Sequence, residues 1–154
     1  MRPIQLPAAV VKLLRRRADP AEHAAIQKLW IAHSMAEEAH DIPGLMATLT
    51  DDCIYTVVNR DASWHGKEGA ARFYTELLTS FPDIHFNLQN IVIGPQGVFE
   101  EAFVTGTYES QWLDMPPPTG ERLEFDVTIL FPWDPERRLF TGERIYFFLR
   151  GLTS

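Results

Sequence analysis

The stretch Arg122-Leu123-Glu124-Phe125-Asp126-Val127-Thr128-Ile129-Leu130-Phe131 decides the fold class. Leu123, Phe125, Val127, Ile129 and Phe131 alternate with Arg122, Glu124, Asp126 and Thr128. Successive side chains of a strand point to opposite faces, so this strand packs one face on a core and turns the other outward. Strands apolar on one side only are typical of antiparallel sheets, since parallel sheets are buried on both. The neighbouring stretches agree: 84–93, 98–109 and 139–149 also read as strands. Gly94-Pro95-Gln96-Gly97 makes a tight connection and Asp134-Pro135-Glu136 opens another. Met115-Pro116-Pro117-Pro118-Thr119-Gly120 is a stiff loop between two long strands.

Upstream of these strands the period is helical. Asp19-Pro20-Ala21-Glu22 starts a helix: Asp19 can cap free amides, Pro20 suits the first turn, and Glu22 can reach back as in a capping box. Ile26, Leu29, Trp30 and His33 recur at helical spacing, and Glu37 and His40 continue the stripe. Asp41-Ile42-Pro43-Gly44 breaks that helix, and Leu45, Met46 and Leu49 suggest a short second one. Cys53 to Val58 reads as a strand and 59–66 as turn. Lys67 to Phe81 returns to helix, with Ala70, Phe73, Tyr74, Leu77 and Phe81 on one stripe and Pro82 as its stop. Helices segregated from hairpin-linked strands define an α+β domain with helices on one face of a curved antiparallel sheet.

The 154 residues fit one domain, and 45% apolar with 12% aromatic content is enough for a core. The net charge of −7 argues against nucleic acid as a partner, which requires a cationic surface. No apolar run reaches the roughly 20 residues of a membrane span, so a cytoplasmic location is expected. A single cysteine, Cys53, excludes an internal disulfide. The charge is uneven: residues 1–17 hold Arg2, Lys12, Arg15, Arg16 and Arg17 and no acid. Without those five, nine basic residues face 21 acidic ones, near −12. The expected organisation is a basic N-terminal arm over 1–18 and the α+β domain over 19–154. The order of apolar and charged residues in the arm is wrong for a signal peptide. It is either a short amphipathic arm docked on an acidic surface or a poorly ordered leader.

Four strings, in order, resemble one family. They are Ala39-His40-Asp41-Ile42 with Leu49-Thr50-Asp51-Asp52; Trp64-His65-Gly66-Lys67-Glu68-Gly69 with Phe73-Tyr74 and Phe81-Pro82-Asp83; Thr105-Gly106-Thr107-Tyr108 with Pro118-Thr119-Gly120; and Gly142-Glu143-Arg144-Ile145-Tyr146. Over roughly residues 22–150 the chain resembles the SnoaL-like polyketide cyclase group of the nuclear transport factor 2-like superfamily. The resemblance implies a cone: a bent antiparallel sheet wrapped around a long N-terminal helix, with a pocket at its wide end. It also implies a homodimer through the outer sheet face, and cofactor-free chemistry or plain ligand binding. Fold alone does not fix which.

His33 and Glu37, four residues apart on the first helix, can meet, and an imidazole beside a carboxylate suits proton transfer. By the resemblance, His33 falls where ketosteroid isomerase has a hydrogen-bond-donating tyrosine, and Tyr74 at a second pocket tyrosine. Tyr108 stands where the cyclases carry a histidine, and a tyrosine is a donor rather than a base. Asp126 is nearest to the cyclases' acid/base aspartate, although strand parity turns it away from Phe125 and Val127 unless a bulge intervenes. Val57 and Val127 occupy the isomerase's carboxylate positions, which speaks against steroid isomerisation. The candidate catalytic set is therefore His33, Glu37, Tyr74, Tyr108 and Asp126. Trp30, Tyr55, Val57, Val127 and Glu143 are expected to bind substrate.

Glu143 and Arg144 are adjacent on a strand, so only one can line a pocket, which argues against an epoxide-hydrolase triad of two acids and an arginine. Glu100 and Glu101 straddle a strand in the same way, and Glu101 could pair with Arg144. Trp30, Trp64, Trp112 and Phe147 suit either a flat ligand or an ordinary core. The histidines (23, 33, 40, 65 and 85) show no metal-ligand spacing, so no metal site is expected. Three functions compete: a cofactor-free cyclase, isomerase or dehydratase acting on a small hydrophobic carbonyl compound, a hydrophobic-ligand module, and a structural dimer. A space of several hundred Å³ between the first helix and the sheet would favour the first two.

Overall fold

The computed structural model describes residues 4–150. Its elements are α1 (Ala8–Leu14), α2 (Pro20–Glu38), α3 (Ile42–Met46), β1 (Leu49–Val57), β2 (Ala62–His65), α4 (Gly66–Ser80), β3 (His85–Gly94), β4 (Gly97–Thr107), β5 (Arg122–Asp134) and β6 (Leu139–Leu149). The strands form one six-stranded sheet in the order β2-β1-β6-β5-β4-β3. This is the expected α+β class, with the sheet curved and unclosed. One pair departs from antiparallel pairing: β1 runs parallel to β6, which brings the first strand into the sheet beside the last. The short β2 lies within the stretch read as turn, and its pairing with β1 makes a small hairpin.

Local chemistry explains the helices. Asp19 accepts a hydrogen bond from the Ala21 amide at 2.8 Å and Pro20 opens α2, as the sequence predicts. Glu22 caps nothing; it accepts from the Trp133 indole at 2.8 Å and pairs with Arg16 at 3.3 Å. Asp41 accepts from the Gly44 amide at 3.0 Å and starts α3. Helix α4 buries Ala70, Phe73, Tyr74 and Leu77 against β1 and β2, while α2 packs on α3, β3 and β4. The core lies between these helices and the concave face, where Phe125, Val127, Ile129 and Phe131 of β5 are buried.

A register shift on β6 shapes that face. The β4–β5 register is unbroken from Gly97 to Thr107, so β5 keeps strict alternation through Ile129. The β5–β6 register shifts by one residue between Leu130 and Trp133. On β6 the buried positions accordingly change parity, from Phe140 and Gly142 to Glu143, Ile145 and Phe147. Gly142 has φ +125°, and a Cβ there would lie 1.9 Å from the Ile54 carbonyl oxygen. Only glycine fits where β6 presses on β1, and the bulge it permits turns Glu143 inward.

Helix α1 lies on the surface and buries no residue. Gln96 donates to the Leu13 carbonyl at 3.0 Å, and the Arg16–Glu22 pair joins the arm to α2. Arg2, counted with the arm, lies outside the described residues, as do positions 151–154 of the expected domain. Among the described residues no helix is long and apolar enough to cross a membrane.

Candidate functional site

His33 is fully buried on α2, and three elements converge on its ring. Thr48, just after α3, lies 2.7 Å from Nδ1; Glu143 Oε1, on β6, lies 2.9 Å from Nε2; the Tyr74 hydroxyl, on α4, lies 3.0 Å from Nε2. The Tyr74 hydroxyl also donates to Glu143 Oε1 at 2.7 Å, and the Tyr55 hydroxyl lies 3.2 Å from that of Tyr74. Phe131 and Phe140 pack edge-on against the imidazole. The network is thus walled by aromatic rings and closed to water on its His33 side.

The hydrogen-bond partners assign the protons. Thr48 Oγ1 lies 2.7 Å from both the Leu45 carbonyl and His33 Nδ1. A hydroxyl has one proton; the carbonyl can only accept, so the hydroxyl donates to it and His33 Nδ1–H donates to the hydroxyl. His33 Nε2 then faces a carboxylate oxygen at 2.9 Å, a contact that two lone pairs cannot share. One proton therefore lies between imidazole and carboxylate. Since Tyr74 donates its proton to Glu143, Tyr55 donates to Tyr74, forming a chain Tyr55→Tyr74→Glu143. Burial first, and then the nearby Glu143 charge, push both tyrosines well above the ordinary phenol value, so they act as fixed donors.

Glu143 Oε1 takes both hydrogen bonds, and Oε2 takes none from the described residues. Glu143 lines a narrow cavity whose walls include Phe73, Leu77, Phe81, Val127, Ile145 and Phe147. Glu37 supplies a second carboxylate to the same cavity. It is half-buried and has no hydrogen-bond partner among the described residues. Burial, followed by the charges of Glu143, Glu100 and Glu38, pushes Glu37 well above the ordinary carboxylate value. The site thus holds two unlike acids. Glu143 is gripped by donors, whereas Glu37 is ungripped and driven toward its protonated form.

The cavity measures about 40 Å³, far below several hundred Å³. That is room for roughly three water molecules. A larger ligand has to displace the apolar side chains of the wall.

The other sequence candidates fall in several places. The partner of His33 is Glu143, from the far end of the chain, and not Glu37 one turn away. Tyr74, Tyr55, Val127 and Glu143 belong to the network or the cavity wall, and Val57 is buried without lining the cavity. Trp30 donates its indole N–H to Glu100 Oε2 at 2.9 Å, outside this cavity. Tyr108 is structural in its contacts: its hydroxyl donates to the Pro116 carbonyl at 2.9 Å and accepts from the Trp112 amide at 3.1 Å. Asp126 is exposed on the outer face, held by Arg150 at 2.6 Å, because β5 alternates without a bulge and the inserted residue lies on β6. Arg144 points outward, so no arginine joins Glu143. The pairing of Glu101 with Arg144 does not form, since β5 lies between their strands. Nothing in the sequence surroundings of Thr48 marks it. Glu100 is, in sequence, one of a straddling pair, and it is the buried member.

No curated protein matches the chain in sequence at a significant level. A protein from Shewanella denitrificans OS-217, named as a candidate SnoaL-like polyketide cyclase, superposes with TM-score 0.69 at 14% identity, over 84% of this chain and 92% of its own. An NTF2-like protein from Burkholderia pseudomallei K96243 gives TM-score 0.67 at 12% identity, over 80% and 91%. An LEH-like epoxide hydrolase from M. tuberculosis gives 0.62 at 18% identity, over 81% and 84%. At these identities the likeness is one of fold. In sequence, the model of the SnoaL-like domain matches residues 30–136, which is most of the chain. With that match and the cone fold in agreement, the chain belongs to the SnoaL-like family.

Proposed function

We propose that this protein is a cofactor-free proton-transfer enzyme acting on a small hydrophobic carbonyl compound, as a cyclase, isomerase or dehydratase does. The observation that carries the proposal is Glu143: one oxygen is locked by His33 and Tyr74, and the other is unpartnered on an apolar cavity. A carboxylate so placed removes a proton from a carbon next to a carbonyl, and the electron pair moves onto the carbonyl oxygen. Glu37, kept protonated by its surroundings, donates to that oxygen as it becomes an enolate. His33 holds Glu143 in place and shares its proton.

A second reading, a non-catalytic module for a hydrophobic ligand, is favoured by the small size and apolar wall of the cavity. In either case the expected partner protein is a second copy of the chain. The outer sheet face supports this, since Val92, Phe99, Tyr146 and Phe148 stand exposed there. A cytoplasmic setting goes with both readings.

Exchange of α-protons from a panel of small apolar ketones in D₂O, followed by NMR, separates the two functions. The enzyme reading expects exchange above the buffer rate, falling by about 100-fold or more in Glu143→Gln. Exchange that is absent for every ketone, or undiminished in the variant, contradicts it and leaves the binding module.

A further inference from the structure

We infer that a second cavity, between α2 and strands β3 and β4, binds a small organic cation such as an alkylammonium group. This cavity measures about 100 Å³ and is lined by Trp30, Ser34, Glu37, Glu38, Phe86 and Glu100. The inference goes beyond proton transfer at Glu143: Glu37 and Phe86 line both cavities, and the charge that carries the inference is that of Glu100, which lines only this one.

Three carboxylates contribute to this wall, and the two deepest have no counter-charge. Glu100 is only 6% exposed. Its Oε2 accepts the Trp30 indole N–H at 2.9 Å, while Oε1 takes no hydrogen bond from the described residues. That oxygen is not sealed in either, because Thr50 Oγ1 is the one buried side-chain oxygen left without a partner among the described residues. Glu100 Oε1 therefore opens onto the cavity. Glu37 also has no partner, and the charged groups that act on it are all carboxylates: Glu143, Glu100 and Glu38. The one basic side chain that meets these acids among the described residues is His85, whose Nδ1 lies 3.8 Å from the exposed Glu38.

A carboxylate taken out of water without a counter-charge is costly, and an entering cation offsets that cost. Two aromatic side chains, Trp30 and Phe86, line the same space and can add cation–π attraction. The acids are spread along the wall: among the described residues no three His, Cys, Asp or Glu side chains converge closely enough to hold a metal ion. Acids set apart beside aromatic rings suit a small organic ammonium, whose charged head meets a carboxylate while its alkyl part packs on the rings. Protonation of the acids is the competing way to relieve the repulsion, and the experiment distinguishes the two.

The intact protein is titrated at about pH 8 with n-butylammonium chloride, with butan-1-ol and sodium butyrate as neutral and anionic comparators. Binding is read from the indole N–H resonance of Trp30, assigned with Trp30→Phe. The cation is expected to give a saturable shift that neither comparator reproduces. Glu100→Gln, which keeps the acceptor for Trp30, should weaken it by about tenfold, as expected for losing one charge-assisted contact. His33→Gln, which removes the support of Glu143, should leave the shift intact and so separates this site from the proposed chemistry. The inference is overturned if butan-1-ol shifts the resonance as strongly as the ammonium, if no saturable shift occurs, or if Glu100→Gln binds as tightly as the parent. Should Glu100→Gln fail to fold, the parent is titrated at about pH 5 instead, where Glu100, pushed up to about 7 by burial, is protonated, and an affinity unchanged from pH 8 overturns the inference equally.

Discussion

A single hydroxyl, Thr48 Oγ1, orients the buried imidazole of His33. Its own proton goes to the Leu45 carbonyl, which obliges Nδ1 to donate and presents Nε2 to Glu143. Thr48→Val keeps the shape and removes the acceptor, leaving a buried N–H unpaired. We expect a loss of about 1–3 kcal/mol in stability by urea denaturation, and a change within error would show that the ring is held by its other contacts. His33 itself is legible in the sequence, since it continues the apolar stripe of α2. Its partners are not. Helical spacing points to Glu37, four residues on, but that rule describes neighbours on a helix surface, and a buried ring is met by whatever strand packs opposite. Here the strand is β6, 110 residues away in sequence.

At the scale of the element, β5 and β6 differ instructively. The alternation of β5 is readable residue by residue, and it places Asp126 outside, where Arg150 holds it. Strand β6 cannot be read that way, because one inserted residue exchanges the faces of everything after it. A period of two carries no mark of where the insertion falls. The only hint is Gly142, whose positive φ and contact with the Ile54 backbone admit no side chain. Gly142→Ala is expected to cost about 1–3 kcal/mol from backbone strain, with the clash adding to it. It should also disturb Glu143, so α-proton exchange ought to fall along with stability. Retention of both would mean that β6 reaches the same register without the glycine.

Across the whole molecule, the sign of the net charge is a poor guide to where acidity matters. Most acids are solvated, but Glu37, Glu100 and Glu143 gather inside, and that concentration follows only from the curvature of the sheet. Glu100 is pushed from the ordinary value of 4.5 to about 7, first by burial and then by Glu143, against the opposing Trp30 hydrogen bond. Between those two values the folded state keeps a proton that the unfolded chain has already lost. Stability therefore falls as pH rises through that window and levels off above it, by about 3 kcal/mol from this group alone. Glu100→Gln removes the effect, so the variant should gain on the parent between about pH 4 and pH 8 in chemical denaturation. Parallel pH profiles would contradict the burial argument. The fold class, the helix starts and the strands were legible because period and capping are local. The cavity, only about 40 Å³, was not, because it is what remains after distant side chains pack.

One proton lies between His33 and Glu143 beside an apolar cavity, and ¹⁵N NMR of the His33 ring tests its place most directly. Comparison of the parent with Glu143→Gln should find Nδ1 protonated in both proteins. It should also find Nε2 engaged with a shared proton in the parent and reverting to a simple acceptor in the variant. A bare Nδ1, or an Nε2 signal that does not move when Glu143 is replaced, would contradict it.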